Sequence, residues 1–197
     1  LYKTEVANIS KKRNVIYIQI KDGELFSFDK VVCTLPSTYF LKVTEDLPVI
    51  YKNRLLNLKG LGAVNLVLSL KRKFLTDGTY WLNVNEKDFP FIGIMEQTNF
   101  MNPGFYGGER IIYVGNYLET NHKYFNLTAD ELLSEFSPYL KKINPNFSRE
   151  ARYCSAVELF SSPFAQPVIP VNYSKIMPPL ETPLKNVYLA NIEQVYP

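Results

Sequence analysis

The feature that most constrains this fold is a pair of short apolar strands near opposite ends of the chain. Residues 28–36 read FDKVVCTLP, an apolar run entered from Asp29 and left through Pro36, and residues 186–197 read NVYLANIEQVYP, a short strand followed by a polar turn. Both read as pieces of a larger sheet, and the chain opens on Leu1 rather than on a methionine. The expectation is the middle portion of a longer protein, contributing part of a site completed elsewhere.

With 197 residues the chain can bury about 70% of its unfolded surface without help from a metal or disulfide. Its 14 Tyr, 13 Phe and 13 Pro suit a strand-rich, turn-rich domain whose rings either fill a core or line a pocket. The net charge of +3 is spread thinly, with short basic runs only at 11–13 and 71–73. Runs of that length at strand ends read as solvated faces, so nucleic acid is not an expected partner. Cys33 and Cys154 lie in apolar patterns without a CxxC or a histidine cluster; they read as buried free thiols, favouring a reducing cytoplasm. No apolar stretch of about 18 residues is present, so no transmembrane segment is expected. The sequons at Asn8, Asn126, Asn146 and Asn172 read as chance occurrences in an Asn-rich chain.

Along the chain, 15–20 (VIYIQI) alternates and is followed by Asp22-Gly23 and then 25–28 and 31–35, a hairpin signature. Residues 37–58 switch to helical spacing, with Asp46 as cap, Pro48 in the first turn, Ile50, Leu55 and Leu58 inward, and Gly60 and Gly62 as the stop. Period-2 stretches at 63–70, 79–84, 91–97 and 110–118 predict an antiparallel meander. The strongest helix signal is 128–143, where Thr128 and Glu131 form a capping box and Leu132, Leu133, Phe136 and Leu140 an apolar stripe. A strand at 152–160, a proline-studded return at 163–183 and a last strand at 187–190 complete the pattern. The expected class is α+β: a largely antiparallel or mixed sheet covered on one face by helices, with flanking strands belonging to a second, incomplete domain.

No self-contained catalytic or metal constellation is visible. His122, the single histidine, sits in a polar loop, and neither the 60–62 nor the 107–108 glycines match GxGxxG between strand and helix. What remains is a set of aromatic and carboxamide residues at strand ends: Tyr80, Trp81 and Asn83; Glu96 and Asn99; Tyr113 and Asn116; Phe164 and Gln166. They would line a cleft on the sheet face away from the helix, or else belong to the core, with Glu96 in a strand-end salt bridge.

The order of parts, a hairpin ending in FDKVVCTLP, a long meander-plus-helix insertion, then PFAQPVIP and NVYLANIEQVYP, resembles the substrate-binding part of the flavin-containing amine oxidase and protoporphyrinogen oxidase superfamily. The resemblance spans nearly the whole chain and rests on strand-and-turn signatures. It implies an FAD domain split into pieces, whose GxGxxG segment and glycine-rich flavin-contacting helix are absent from this sequence. Lacking those backbone donors, the chain alone is expected to be inactive and not to hold FAD tightly. The resemblance further implies that Thr34, Leu35 and Pro36 lead the backbone toward the cofactor, that Ala190 and Asn191 end the last strand before the flavin loop, and that the PFAQP turn lies over the reactive ring with Phe164 and Gln166 facing flavin or substrate. Phe164 falls where amine oxidases place a cage Tyr, and Pro163 where some carry the flavin-bonded Cys, so FAD is expected to be non-covalent. The Lys that amine oxidases carry on the strand after the first helix has no counterpart at Asn65 or Leu66. That departure points to hydride removal from another carbon centre, desaturation, or a sugar rearrangement of the galactopyranose mutase kind.

The implied organisation is 1–36 completing the FAD domain, 37–185 binding substrate and 186–197 leading into the absent FAD segment. The function expected is to position a small organic substrate for hydride transfer to flavin held by the rest of the parent. The alternative is a non-catalytic carbohydrate- or protein-binding module, or part of a flavin-dependent sugar mutase.

Overall fold

The structure, a computed structural model, describes residues 2–195; Leu1, Tyr196 and Pro197, and with them the end of the expected 186–197 segment, lie outside the described residues. The elements in chain order are β1 (Val6–Lys12), β2 (Val15–Ile20), β3 (Leu25–Phe28), β4 (Val31–Cys33), α1 (Ser37–Lys42), α2 (Val49–Leu56), β5 (Gly60–Leu70), β6 (Trp81–Asn83), β7 (Gly93–Glu96), α3 (Gln97–Phe100), β8 (Arg110–Leu118), α4 (Ala129–Ile143), β9 (Cys154–Pro167) and β10 (Val187–Leu189). Two of the three sheets are antiparallel, and helices accompany them without a regular β-α-β alternation, which makes the class α+β.

The described residues form two compact units, one running up to Lys59 and resuming at Pro167, the other spanning Gly60–Gln166. In the first, β1, β2 and β3 make an antiparallel sheet, turned between β2 and β3 at Gly23, whose φ of +88° suits glycine. A separate parallel pair joins β4 to β10 with Val31, Val32 and Cys33 opposite Val187, Tyr188 and Leu189. The unit's core gathers Ile9 and Ile16 from the hairpin, Cys33, Val187 and Leu189 from the parallel pair, and Phe40, Tyr51 and Leu55 from α1 and α2.

The helical region at 37–58 differs from its sequence reading in three ways. It is two helices, Pro48 rather than Asp46 occupies the N-cap position of α2 without a side-chain cap bond, and Ile50 is 86% exposed while Tyr51 and Leu55 are buried. The residue before a proline is driven out of helical conformation, so Leu47 breaks the helix and strands Asp46 beyond capping reach. Gly60 does not stop a helix either. It opens β5, and a side chain there would overlap the Phe164 ring.

The second unit is a five-stranded sheet in the order β6-β7-β8-β5-β9. The meander holds for β6, β7 and β8, but β5 then adds beyond β8, antiparallel, pairing Gly62 with Leu118 through to Leu70 with Arg110. Alternation along β5 sends Val64, Leu66, Leu68 and Leu70 to one face, where they meet Ile94, Ile112 and Val114 and the α4 stripe Leu132, Leu133, Phe136 and Leu140. The helix starts in the capping box: Thr128 Oγ1 accepts the Glu131 N–H at 3.3 Å and Glu131 Oε2 accepts the Thr128 N–H at 2.8 Å. Cys154 and, in the first unit, Cys33 are buried free thiols, and burial pushes both thiol pKa values up. Among the described residues, no helix is long and apolar enough to cross a membrane.

One expected turn is a strand. PFAQP continues β9, which runs 14 residues to Pro167. Because β9 is the outermost strand of its sheet, Pro163 can sit in it with no ladder hydrogen bond lost.

Candidate functional site

The face of the five-stranded sheet opposite α4 is open, and register alone determines what it presents. Residues directly opposite one another share a face, so Asn83, Gly93, Gly115 and Asn65 form one continuous row across β6, β7, β8 and β5. The neighbouring row is Trp81, Met95, Tyr113 and Val67. Above these rows lies a cavity of about 300 Å³ lined chiefly by Trp81, Asn83, Met95, Tyr113, Asn65 and Ile92. The Trp81 indole N–H donates to Asn83 Oδ1 at 2.7 Å, a bond that fixes the ring's orientation at the cavity mouth.

Of the substrate residues expected from sequence, the structure brings the side chains of Trp81, Asn83 and Tyr113 together at this cavity, whereas Asn116, which borders it, stands opposite Val64 and so has its side chain on the α4 face. Asn116 is tied down, its side-chain amide donating to the Pro90 carbonyl at 2.8 Å. Tyr80 stands apart, its ring stacked at a tilt on Phe100 with centroids 5.2 Å apart. Phe164 and Gln166 lie on β9, Phe164 over Gly60 and Gln166 exposed, and neither lines the cavity. Asn65 joins the cavity without having been among the expected substrate residues. Its signal was the alternation of β5, which puts Asn65 opposite in face to the fully buried Leu66.

Glu96 and Asn99 serve the other face. Glu96 is fully buried, and rather than forming a strand-end salt bridge its Oε2 accepts the backbone N–H groups of Phe74 at 3.1 Å and Leu75 at 2.5 Å. Burial pushes the carboxyl pKa up, against the opposing pull of those N–H donors and of Lys73 and Arg110. Asn99 donates to the carbonyls of Leu75 and Thr79, both at 2.9 Å. Together they pin the turn that follows β5. His122 likewise has a local task, its Nδ1 accepting the Tyr124 N–H at 3.2 Å.

In the other unit, the residues expected near a cofactor gather where β4 and β10 both end. The Ala190 N–H donates to the Cys33 carbonyl at 2.9 Å, and Asn191 Nδ2 donates to the Leu35 carbonyl at 2.9 Å, clamping the segment from Thr34 to Pro36 to the end of β10. Behind them Ser37 donates to the buried Glu193 carboxylate. Val32, mid-strand in β4, is 61% exposed, although parallel strands are ordinarily covered on both faces. A dinucleotide needs backbone donors at a glycine-rich turn from strand to helix N-terminus. None of the chain's glycines stands in such a turn. The described residues thus offer a strand-end ledge and do not by themselves fit a dinucleotide's pyrophosphate.

Comparison with known proteins follows the same lines. The family model for flavin containing amine oxidoreductases matches residues 1–192. A search of curated proteins gave no significant match. Among solved structures the chain is similar to a protein from Exiguobacterium sp. 255-15 assigned as a protoporphyrinogen oxidase, with TM-score 0.73 and 12% identity over 96% of this chain and 42% of that one. It is similar also to an oxidoreductase from Methanosarcina mazei, with TM-score 0.67 and 17% identity over 95% of this chain and 43% of that one. A reduced UDP-galactopyranose mutase matches with TM-score 0.62 and 14% identity over 82% of this chain and 34% of that one. The chain therefore spans less than half the length of each of these structures, and at such identities the likeness is one of fold.

Proposed function

This chain belongs to the flavin-containing amine oxidoreductase family, and on that footing we propose that it is the substrate-binding portion of an FAD-dependent oxidoreductase. The observation that carries the reading is the cavity on the uncovered sheet face, with Trp81 and Asn83 held on β6 and Tyr113 two strands away on β8. Rigid strands place side chains more firmly than loops do. Flavin supplies the hydride acceptor; this chain's contribution is to bind an organic substrate, orient it and keep water from it. The ends of β4 and β10, with Thr34, Leu35, Pro36, Ala190 and Asn191, form the edge to which the remaining FAD domain attaches, and the cofactor is non-covalent. Phe164 and Gln166 remain assigned to the substrate side of β9 on family resemblance alone. In family terms Asn65 or Leu66 stands where amine oxidases have a Lys, and Asn65 is the one that lines the cavity, which supports a carbon rather than an amine centre as hydride donor.

The test is anaerobic mixing of the full-length protein with a panel of organic donors, following loss of flavin absorbance at about 450 nm. At least one donor should bleach the flavin, and Tyr113→Ala should slow bleaching at least tenfold (about 1.4 kcal/mol of barrier) at unchanged flavin content. A flavin-loaded protein that no donor bleaches, or a colourless full-length protein, would favour a sugar mutase or a binding module respectively.

A further inference from the structure

We infer that the open-face cavity is a slot for one flat, uncharged ring system bearing hydrogen-bond acceptors, an inference that rests on the substrate-binding role proposed above. Its floor is unusual for a sheet. Gly93 and Gly115 are direct partners across β7 and β8, in the middle of the sheet. Neither has a positive φ, and a Cβ would meet nothing closer than the Leu82 carbonyl oxygen at 3.5 Å for Gly93 and Asn65 Oδ1 at 3.4 Å for Gly115. Neither turn geometry nor crowding within the chain therefore requires glycine, which weakens a strand interior and characteristically marks close approach of something to the backbone. Two bare peptide units side by side make a flat floor, and any side chain there would occupy the space above it.

The groups around the floor define what lies on it. Asn83 and Asn65 stand at the two ends of the glycine row. Because Asn83 Oδ1 accepts from Trp81, the Asn83 amide N–H groups are left to donate outward, and among the described residues the Asn65 carboxamide has no protein partner. Trp81 and Tyr113, both in the neighbouring row, border it on one side with aromatic surface. Among the described residues, no acidic or basic side chain lines the cavity, so a carboxylate, phosphate or ammonium would lose its hydration without a countercharge. The volume of about 300 Å³ is at the small end of the ligand-site range of about 300–1,000 Å³. It admits a fused ring of two or three members.

Isothermal titration of the full-length protein with coumarin, a flat neutral lactone, and with coumarin-3-carboxylate, its anionic counterpart, tests this directly. Coumarin should bind saturably and the carboxylate at least tenfold more weakly. Gly115→Val, which fills the floor, should cut coumarin affinity at least tenfold, and Gly115→Ala, which the sheet accommodates without a clash, should cut it by less. Absence of coumarin binding, equal or tighter binding of the anion, or undiminished affinity in both Gly115 variants would overturn the inference. Flavin content is read by absorbance on the same samples. A colourless protein that shows the coumarin pattern would refute the redox reading while supporting the slot.

Discussion

Glu96 carries a carboxyl group into an apolar core and keeps it there with two backbone donors. Because burial raises its folded pKa, the folded state holds the proton more tightly than the unfolded chain does. The sign follows from linkage: this group's stabilising contribution is complete below the ordinary carboxylate pKa and is lost as pH rises through the raised folded value. Glu96→Gln keeps an oxygen acceptor for the Phe74 and Leu75 N–H groups and removes the titration. It should flatten the fall in melting temperature between acid and neutral pH and leave the neutral-pH value at or above that of the parent residue. Glu96→Ala should instead cost about 1–3 kcal/mol at every pH, because buried donors lose their acceptor. Thermal unfolding across pH checks both, and a Gln variant with the original pH slope would remove Glu96 as the source.

At the scale of elements, sequence pattern was most informative where periodicity and chemistry agreed. The α4 stripe and its capping box were legible because Thr128, Glu131 and the spacing of Leu132, Phe136 and Leu140 all specify one helix. The parity of β5 was legible because, Val67 apart, only alternate positions from Val64 to Leu70 are large and apolar. Parity failed at β7, since FIGIM is apolar throughout and gives no clue that Met95 faces the cavity while Glu96 faces the core. The same gap hid the glycine row with its two terminal asparagines, which exists only once four strands are in register. Phe136→Ala should destabilise by about 3–5 kcal/mol and Leu66→Ala by about 2–5 kcal/mol, since both are fully buried. Ile50→Ser, on the exposed side of α2, should change stability by no more than about 0.5 kcal/mol. Chemical denaturation midpoints decide this, and a large loss for Ile50→Ser would restore it to an inner stripe.

At the scale of the whole molecule, a long β-rich unit is inserted between strands β4 and β10, which pair in parallel across it. The exposed Val32 leaves one face of this parallel pair uncovered beside the Thr34 to Pro36 segment that Asn191 holds, and the chain spans less than half of each similar structure. The function proposed above divides the work: substrate recognition resides in this chain, and the cofactor's grip resides elsewhere in the parent. Gel filtration of residues 1–197 after incubation with FAD, alongside the full-length protein, tests it most directly through the absorbance of each peak at about 450 nm. The chain should elute as a colourless peak and the parent as a yellow one, with about one flavin per molecule; a chain that carries FAD through the column, or a parent that does not, would overturn this division.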